Sequence, residues 1–300
     1  MALLRVEAEK LSNNQLISGV IDQIITRDDL FAVLPFVGVQ GKAYVYNREN
    51  TLPTADFLDP NDTVTESGAT FSEIVTKLRI LAGDVDVDKF LQTTMGDTND
   101  QMAIQIAKKA KALAYAFQQT VATGNSAVNA KAFDGLAVLN ANDQVVSAGT
   151  NGNALTLTML DQLCDAVPNG PDVIVMRRGS IRAFRALLRA TYGTDAVMQQ
   201  LENFGRPMLT HNGIPVIMNE WLPGNETQGT NSLTTSIYAA RLNEVDGLHG
   251  LYGGDNAGLV VENIGTVQNK DATRIRLKWY AGLALKSTKS LARLQGVTNI

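Results

Sequence analysis

The chain has 300 residues, 26 of them basic and 30 acidic, for a net charge of -4, and 45% of it is apolar. That length is enough for two compact units, and there is no basic surplus to mark a nucleic-acid binder. The single cysteine, Cys164, excludes an intrachain disulfide framework.

No apolar run is long enough to span a bilayer. Glu7 and Glu9 stand where a signal peptide needs an apolar stretch. The chain is therefore expected to be soluble and intracellular when made, with no membrane partner. Residues 1–12 have no sustained period and read as an arm. From Asn13, capped by itself or by Ser12, a helix is predicted: Leu16, Ile17, Val20, Ile21, Ile24 and Ile25 recur at three- and four-residue spacing. "RDDLFAVLPF" holds a further helical turn that Pro35 stops.

"GKAYVYN" reads as a strand. Asn47 to Thr70 follows with two prolines, several acids and no period, longer than structureless stretches usually are inside a compact domain. A strand lies on its far side. The segment 41–83 is thus predicted to be an open hairpin with a polar tip. Each leg, if extended, reaches about 60 Å, beyond the ~30 Å width of a small domain. Such an arm is expected to lie on another molecule.

In "TFSEIVTKLRILAGDVDVDKFL" the even positions Ile74, Leu78, Ile80 and Ala82 are apolar, with Lys77 and Arg79 opposite. After Gly83 the phase reverses: Val85 and Val87 are apolar, and Asp84, Asp86 and Asp88 take the other face. A slip of one residue moves the apolar set across a strand, so a bulge or bend is predicted at Gly83, where the arm joins the body.

From Asn99 to about Ala122 lies the strongest helix signal, with Met102, Ile106, Leu113 and Phe117 on one stripe and Lys108 and Lys111 elsewhere. It is about 36 Å long, with Gly124 as C-cap. "AFDGLAVL" precedes a turn-rich link from Asn140 to Asn153. "LTLTMLDQLCDAV" is predicted helical and "PDVIVMRRG" a buried strand. "SIRAFRALLRATYG" is a helix capped by Ser180 and stopped near Gly193. "LTHNGIPVIMNEWLP" reads as strand, turn, strand; "SIYAARL" and "GLVVENI" are strands, and "LHGLYGG" is a glycine-rich loop. Two strands close the chain in "TRIRLKWYAGLALKSTKSLARLQGV". This order predicts an α+β fold.

Motifs for catalysis are missing: there is no phosphate loop, GxGxxG or GxSxG. His211 falls in a turn and His249 in the glycine-rich loop, neither with a ligand cluster, so both read as surface or structural. "DVDVDKFLQTTM" begins like a calcium loop, but Lys89 occupies the position of the glycine and Met95 that of the glutamate. Arg177, Arg178, Arg182, Arg185 and Arg189 form a basic helix region. A phosphate site there is conceivable, but without net basic charge the favoured reading pairs them with acids of the same or another subunit. Cys164 reads as a buried structural thiol. No catalytic, cofactor or metal residue is assigned.

The ordered set of segments resembles a major capsid protein of tailed bacteriophages, with the Hong Kong 97-type fold. "GKAYVYN", the polar tip and "TFSEIVTKLRILAGDVDVDKFL" look like the extended loop and its return, and "NDQMAIQIAKKAKALAYAFQQTVATGN" like the spine helix. "PDVIVMRRGSIRAFRALL" with "LTHNGIPVIMNEWLP" looks like the axial domain, carrying a G-x-P-V element at Gly213, Pro215 and Val216. The final strands look like the closing strands of the peripheral domain. The resemblance divides the chain into an N-terminal arm and helix (1–40), the extended loop (41–83), a peripheral domain (84–152 and 258–300) and an axial domain (153–257). It implies a non-enzymatic shell protein whose pentamers and hexamers enclose packaged double-stranded DNA without sequence-specific binding. The protein would assemble in the bacterial host cytoplasm and reside in the virion, with scaffolding, portal and decoration proteins as possible partners.

In that setting Lys77 and Arg79, with Asp84, Asp86 and Asp88, are candidates for contacts between subunits. Some members of the family cross-link a lysine to an asparagine; Lys42, Lys77 and Asn299 do not align with that chemistry. Against the family pattern the chain is expected to lack a long helical N-terminal extension, which implies a separate scaffold or none. Two rivals remain. One is an encapsulin, which shares the fold, although the long polar-tipped arm favours the viral version. The other is a hydrolase using Cys164 with His211 or His249.

Overall fold

The computed structural model describes residues 26, 28–41, 43–94, 100–192, 198–200, 207–254 and 258–298. The predicted helix from Asn13, together with Lys42, Met95, Gly193 and Asn299, lies outside them. The first described helix, α1 (Leu30–Val33), ends where Pro35 forbids another turn. Then come β1 (Phe36–Val39), the hairpin β2 (Ala43–Thr51) and β3 (Thr70–Lys77), β4 (Arg79–Asp88), α2 (Lys89–Thr94) and the long α3 (Gln101–Thr123). Asp100 caps α3, its carboxylate accepting the N–H groups of Met102 and Ala103 at 2.9 and 3.2 Å. Gly124 ends α3 in extended backbone.

The next elements are α4 (Leu136–Leu139), β5 (Val145–Ser147), α5 (Leu157–Asp165), β6 (Val173–Met176) and α6 (Arg178–Tyr192). The strands β7 (Met198–Gln200), β8 (Pro207–His211), β9 (Ile214–Met218), β10 (Glu226–Gln228) and β11 (Asn231–Ala240) follow. The chain closes with β12 (Leu248–Gly253), β13 (Val260–Thr266), β14 (Ala272–Leu285) and β15 (Leu291–Val297).

Two large sheets organise these elements. In one, β14 is the hub, paired with β4, β12 and β13, and β1 joins through β12. The spine helix α3 covers one face of it: Met102 and Leu113 pack on Val85, Val87 and Leu277. Nearby, Phe31, Phe36, Phe117 and Trp279 form an aromatic cluster, the last two with ring centroids 4.5 Å apart. The second sheet runs β5-β15-β11-β6-β9-β8-β7, with β10 on β11. Its core joins Leu160 and Leu163 of α5 and Phe184 of α6 to Ile174, Ile237 and Leu294.

Several expectations are corrected here. No bulge occurs at Gly83: β4 pairs with β14 in one uninterrupted register from Asp88↔Ala272 to Arg79↔Ala281. Leu81, Val85 and Val87 face α3 throughout, while Ile80 lies on the open face, 74% exposed. The change of phase falls at Leu78, the residue between β3 and β4. Ile80 and Ala82 suggested a core face only because they are apolar. Gly83 serves packing instead, since a Cβ there would lie 2.2 Å from Lys109 Cε.

The segment read as a glycine-rich loop is the strand β12, with Leu248, His249 and Leu251 buried. Its Gly250 admits the Phe36 ring, which a Cβ would approach to 2.4 Å. Ser180 lies inside α6 rather than capping it, and its buried Oγ has no hydrogen-bond partner among the described residues. The turn-rich link contains β5, which pairs with β15. The two closing strands part company across the turn at Thr288–Ser290: β14 stays in the first sheet and β15 enters the second. β12, on the other side of the division drawn at residue 257, belongs with β14.

Candidate subunit-contact surface

The β2–β3 hairpin alternates sharply between its two faces. One face grips the body: Tyr46 Oη donates to the Leu285 carbonyl at 2.7 Å, and Arg48 donates to the carbonyls of Lys286 and Leu285 at 2.8 and 2.9 Å. The Lys286 ammonium stands 5.6 Å from the Tyr44 ring centroid. Burial raises the Tyr46 pKa above its ordinary value. The opposite face carries the cross-strand pair Val45↔Val75 and Phe71, all exposed.

Beyond the ladder, residues 52–69 run out as two legs. Ser67 ties them by accepting the Thr54 N–H and donating to the Thr54 carbonyl, at 2.9 and 3.1 Å. They reverse at Asp59–Asp62, where Asn61 takes the left-handed conformation at φ 81°. Phe57 is fully exposed, and Leu52 and Val64 are each 74% exposed. Exposed apolar side chains gathered on one projecting element mark a surface built to meet another molecule.

The five candidate contact residues divide into two groups. Lys77 is exposed at the hairpin base and makes no ion pair among the described residues. Arg79 sits at the junction, its Nε buried without a hydrogen-bond partner among the described residues. The three aspartates lie along the open face of the first sheet, and each carboxylate is engaged within the chain. Asp84 is held by Arg276 at 2.7 and 2.9 Å, and Asp86 by Arg274 at 2.6 and 2.7 Å. Both are two-pronged pairs between residues directly opposite in the ladder. These hydrogen bonds hold both carboxyls below the ordinary range. Asp88 accepts the Phe90 N–H at 2.8 Å, at the entry to α2.

The sequence reading found the aspartates and missed their arginines. The signal was available: Arg274, Arg276 and Lys278 recur at period two in "TRIRLK", matching the period of Asp84, Asp86 and Asp88. Lys278 instead reaches Glu262 at 2.7 Å.

His211 Nε2 lies 2.8 Å from Asp161 Oδ1, which also accepts from Asn212 at 3.0 Å, and the imidazole packs on Phe184. An acid that orients a histidine is thus present. Cys164, however, is half-buried, and burial together with Asp161 and Asp165 pushes its thiol up to about 11, so it stays protonated. His249 is buried in β12 against Tyr44, and burial lowers its pKa. Among the described residues no three His, Cys, Asp or Glu side chains gather as a metal site, and no helix is long and apolar enough to cross a membrane.

No family model and no curated protein matches the chain. Solved structures match over nearly its full length. The holo-SrpI encapsulin complex from Synechococcus elongatus PCC 7942 aligns at 22% identity and TM-score 0.75, covering 99% of this chain and 97% of that one. The capsid of an empty GTA particle aligns at 15% and 0.71, covering 96% of each chain. The capsid of cyanophage A-1(L) aligns at 13% and 0.68, covering 96% of this chain and 98% of that one.

The chain has the Hong Kong 97-type fold.

In the terms of that fold, the β2–β3 hairpin is the extended loop and α3 the spine helix. The fold is shared by capsid shells and an encapsulin shell. The encapsulin alignment has higher identity and TM-score than the two capsid alignments, so the shared fold does not separate an encapsulin from a capsid protein.

Proposed function

We propose that the chain is a structural, non-enzymatic major capsid protein of a tailed phage, forming pentamers and hexamers that tile an icosahedral shell around packaged double-stranded DNA. The observation that carries the reading is the extended loop. Val45, Phe71 and Val75 on its outer face, and Phe57 at its tip, stay exposed in one chain. Burying them takes a neighbour, and burial is favourable by about 25 cal/mol per Å² of apolar surface. Net charge of -4 fits a shell that encloses DNA without gripping it. Scaffolding, portal and decoration proteins are the further partners of such a shell, and the virion is its location.

A second reading, an encapsulin-type compartment, draws on the 22% identity and TM-score of 0.75 to the encapsulin. The contents of native particles separate the two. Nuclease-protected double-stranded DNA supports the capsid reading; an enclosed enzyme without DNA replaces it with the encapsulin one. Deleting residues 48–68 tests the role of the loop: assembly is expected to fail while the body stays folded, and unchanged shells would refute that role.

A further inference from the structure

On one face of α6, Arg178, Arg182, Arg185 and Arg189 fall within a single stripe, since their spacings of four, three and four residues each return to the same side of a 3.6-residue helix. Arg178 is held by Glu220 at 2.7 Å. Arg182, Arg185 and Arg189 are exposed and span about 10 Å of helix. Beside Arg182 runs a shallow apolar groove lined by Ala154, Leu155, Ala183, Ala186 and Leu187.

The tip of the extended loop is the complement of this surface. Residues 52–69 contain Asp56, Asp59, Asp62 and Glu66 and no lysine or arginine. All of these residues but Ala69 are exposed, and Phe57 stands free among the acids. We propose that the arginine face of α6 receives the acidic tip of the extended loop from a second copy of this chain, with Phe57 in the adjacent groove. This rests on the reading of the loop as an element between subunits. The apolar groove is what favours a protein segment over a phosphate backbone: an aromatic anchor uses it and a phosphate does not. Pairing of opposite charges sets the register, and repulsion excludes a second basic face.

The test is charge reversal with the full chain. R182E/R185E/R189E and, separately, D56K/D59K/D62K/E66K are each expected to raise the concentration needed for assembly by about tenfold, and their combination to restore it. Higher salt should weaken wild-type assembly, since exposed pairs are screened. If loop deletion abolishes assembly but arginine reversal leaves it unchanged, the loop keeps its role and this docking is overturned. Reversal that lowers enclosed nucleic acid and leaves assembly intact overturns it as well, in favour of a polyanion surface. A second variant does not depend on charge: Phe57→Cys with Ala186→Cys, in a Cys164→Ser background, treated with a mild oxidant. Disulfide-linked multimers on a denaturing gel are expected, and monomer bands alone contradict the proposal.

Discussion

Gly83 and Gly250 each leave room for a neighbouring side chain, and the nature of that neighbour decides what a methyl group would cost. At Gly83 it is the far end of Lys109, which can swing aside. Gly83→Ala is therefore expected to change stability by less than about 1 kcal/mol. At Gly250 it is the ring of Phe36, fixed between Phe31, Phe117 and Trp279. Gly250→Ala should cost about 1–3 kcal/mol by overpacking, read as a shift in denaturation midpoint. Two equal costs would contradict this account of the glycines.

Asp28 carries a pH signature. Its carboxylate accepts the Leu30 N–H at 3.0 Å beside the Asn219 bridge, and burial raises its pKa to about 7. A raised carboxyl pKa favours the folded state below its unfolded value of 3.8 and loses that advantage as pH rises through about 7. Asp28→Asn should therefore stabilise the protein by a margin that opens above pH 4, widens to about pH 7 and stays constant beyond. Thermal denaturation from pH 4 to 9 checks it. At this scale the sequence was least legible. Composition cannot say that Gly83 makes room for a lysine, or that His211 meets Asp161, fifty residues earlier.

At the scale of elements, α3 was read within two residues at either end, because a long amphipathic stripe and a cap are local signals. Asp100→Ala should remove about 1 kcal/mol by orphaning two N–H groups, measurable as a lower unfolding temperature. The β4–β14 ladder was half legible: its aspartates stood out, but pairing them with Arg274 and Arg276 needs register across some 190 residues. Because Asp84 and Asp86 are held below the ordinary range, their pairs stabilise the fold above pH about 4, and that contribution is lost as pH falls through the depressed folded values. The double variant Asp84→Asn with Asp86→Asn should lower the melting temperature at pH 7. The difference should vanish at pH well below 3; a gap independent of pH would mean the arginines contribute by packing instead. β12 was misread because two glycines at its end looked like a loop. Its Gly250 marks a close approach inside a sheet.

For the whole molecule, the α+β class and the Hong Kong 97-type architecture were legible because the order of elements survives where individual motifs do not. The projection of the loop as a hairpin with an exposed tip was legible too, from a polar stretch too long for a domain interior. The allotment of the closing strands to different sheets was not, since nothing local distinguishes the partners of β14 from those of β15. The central claim is that this chain is a shell subunit whose loop and tip are completed by neighbours. Negative-stain electron microscopy of the full chain expressed alone, with its sedimentation profile, tests that claim most directly. Closed shells or capsomer rings, lost on deletion of residues 48–68, are the predicted result. A monodisperse monomer that stays folded at high concentration, with or without the loop, would contradict it.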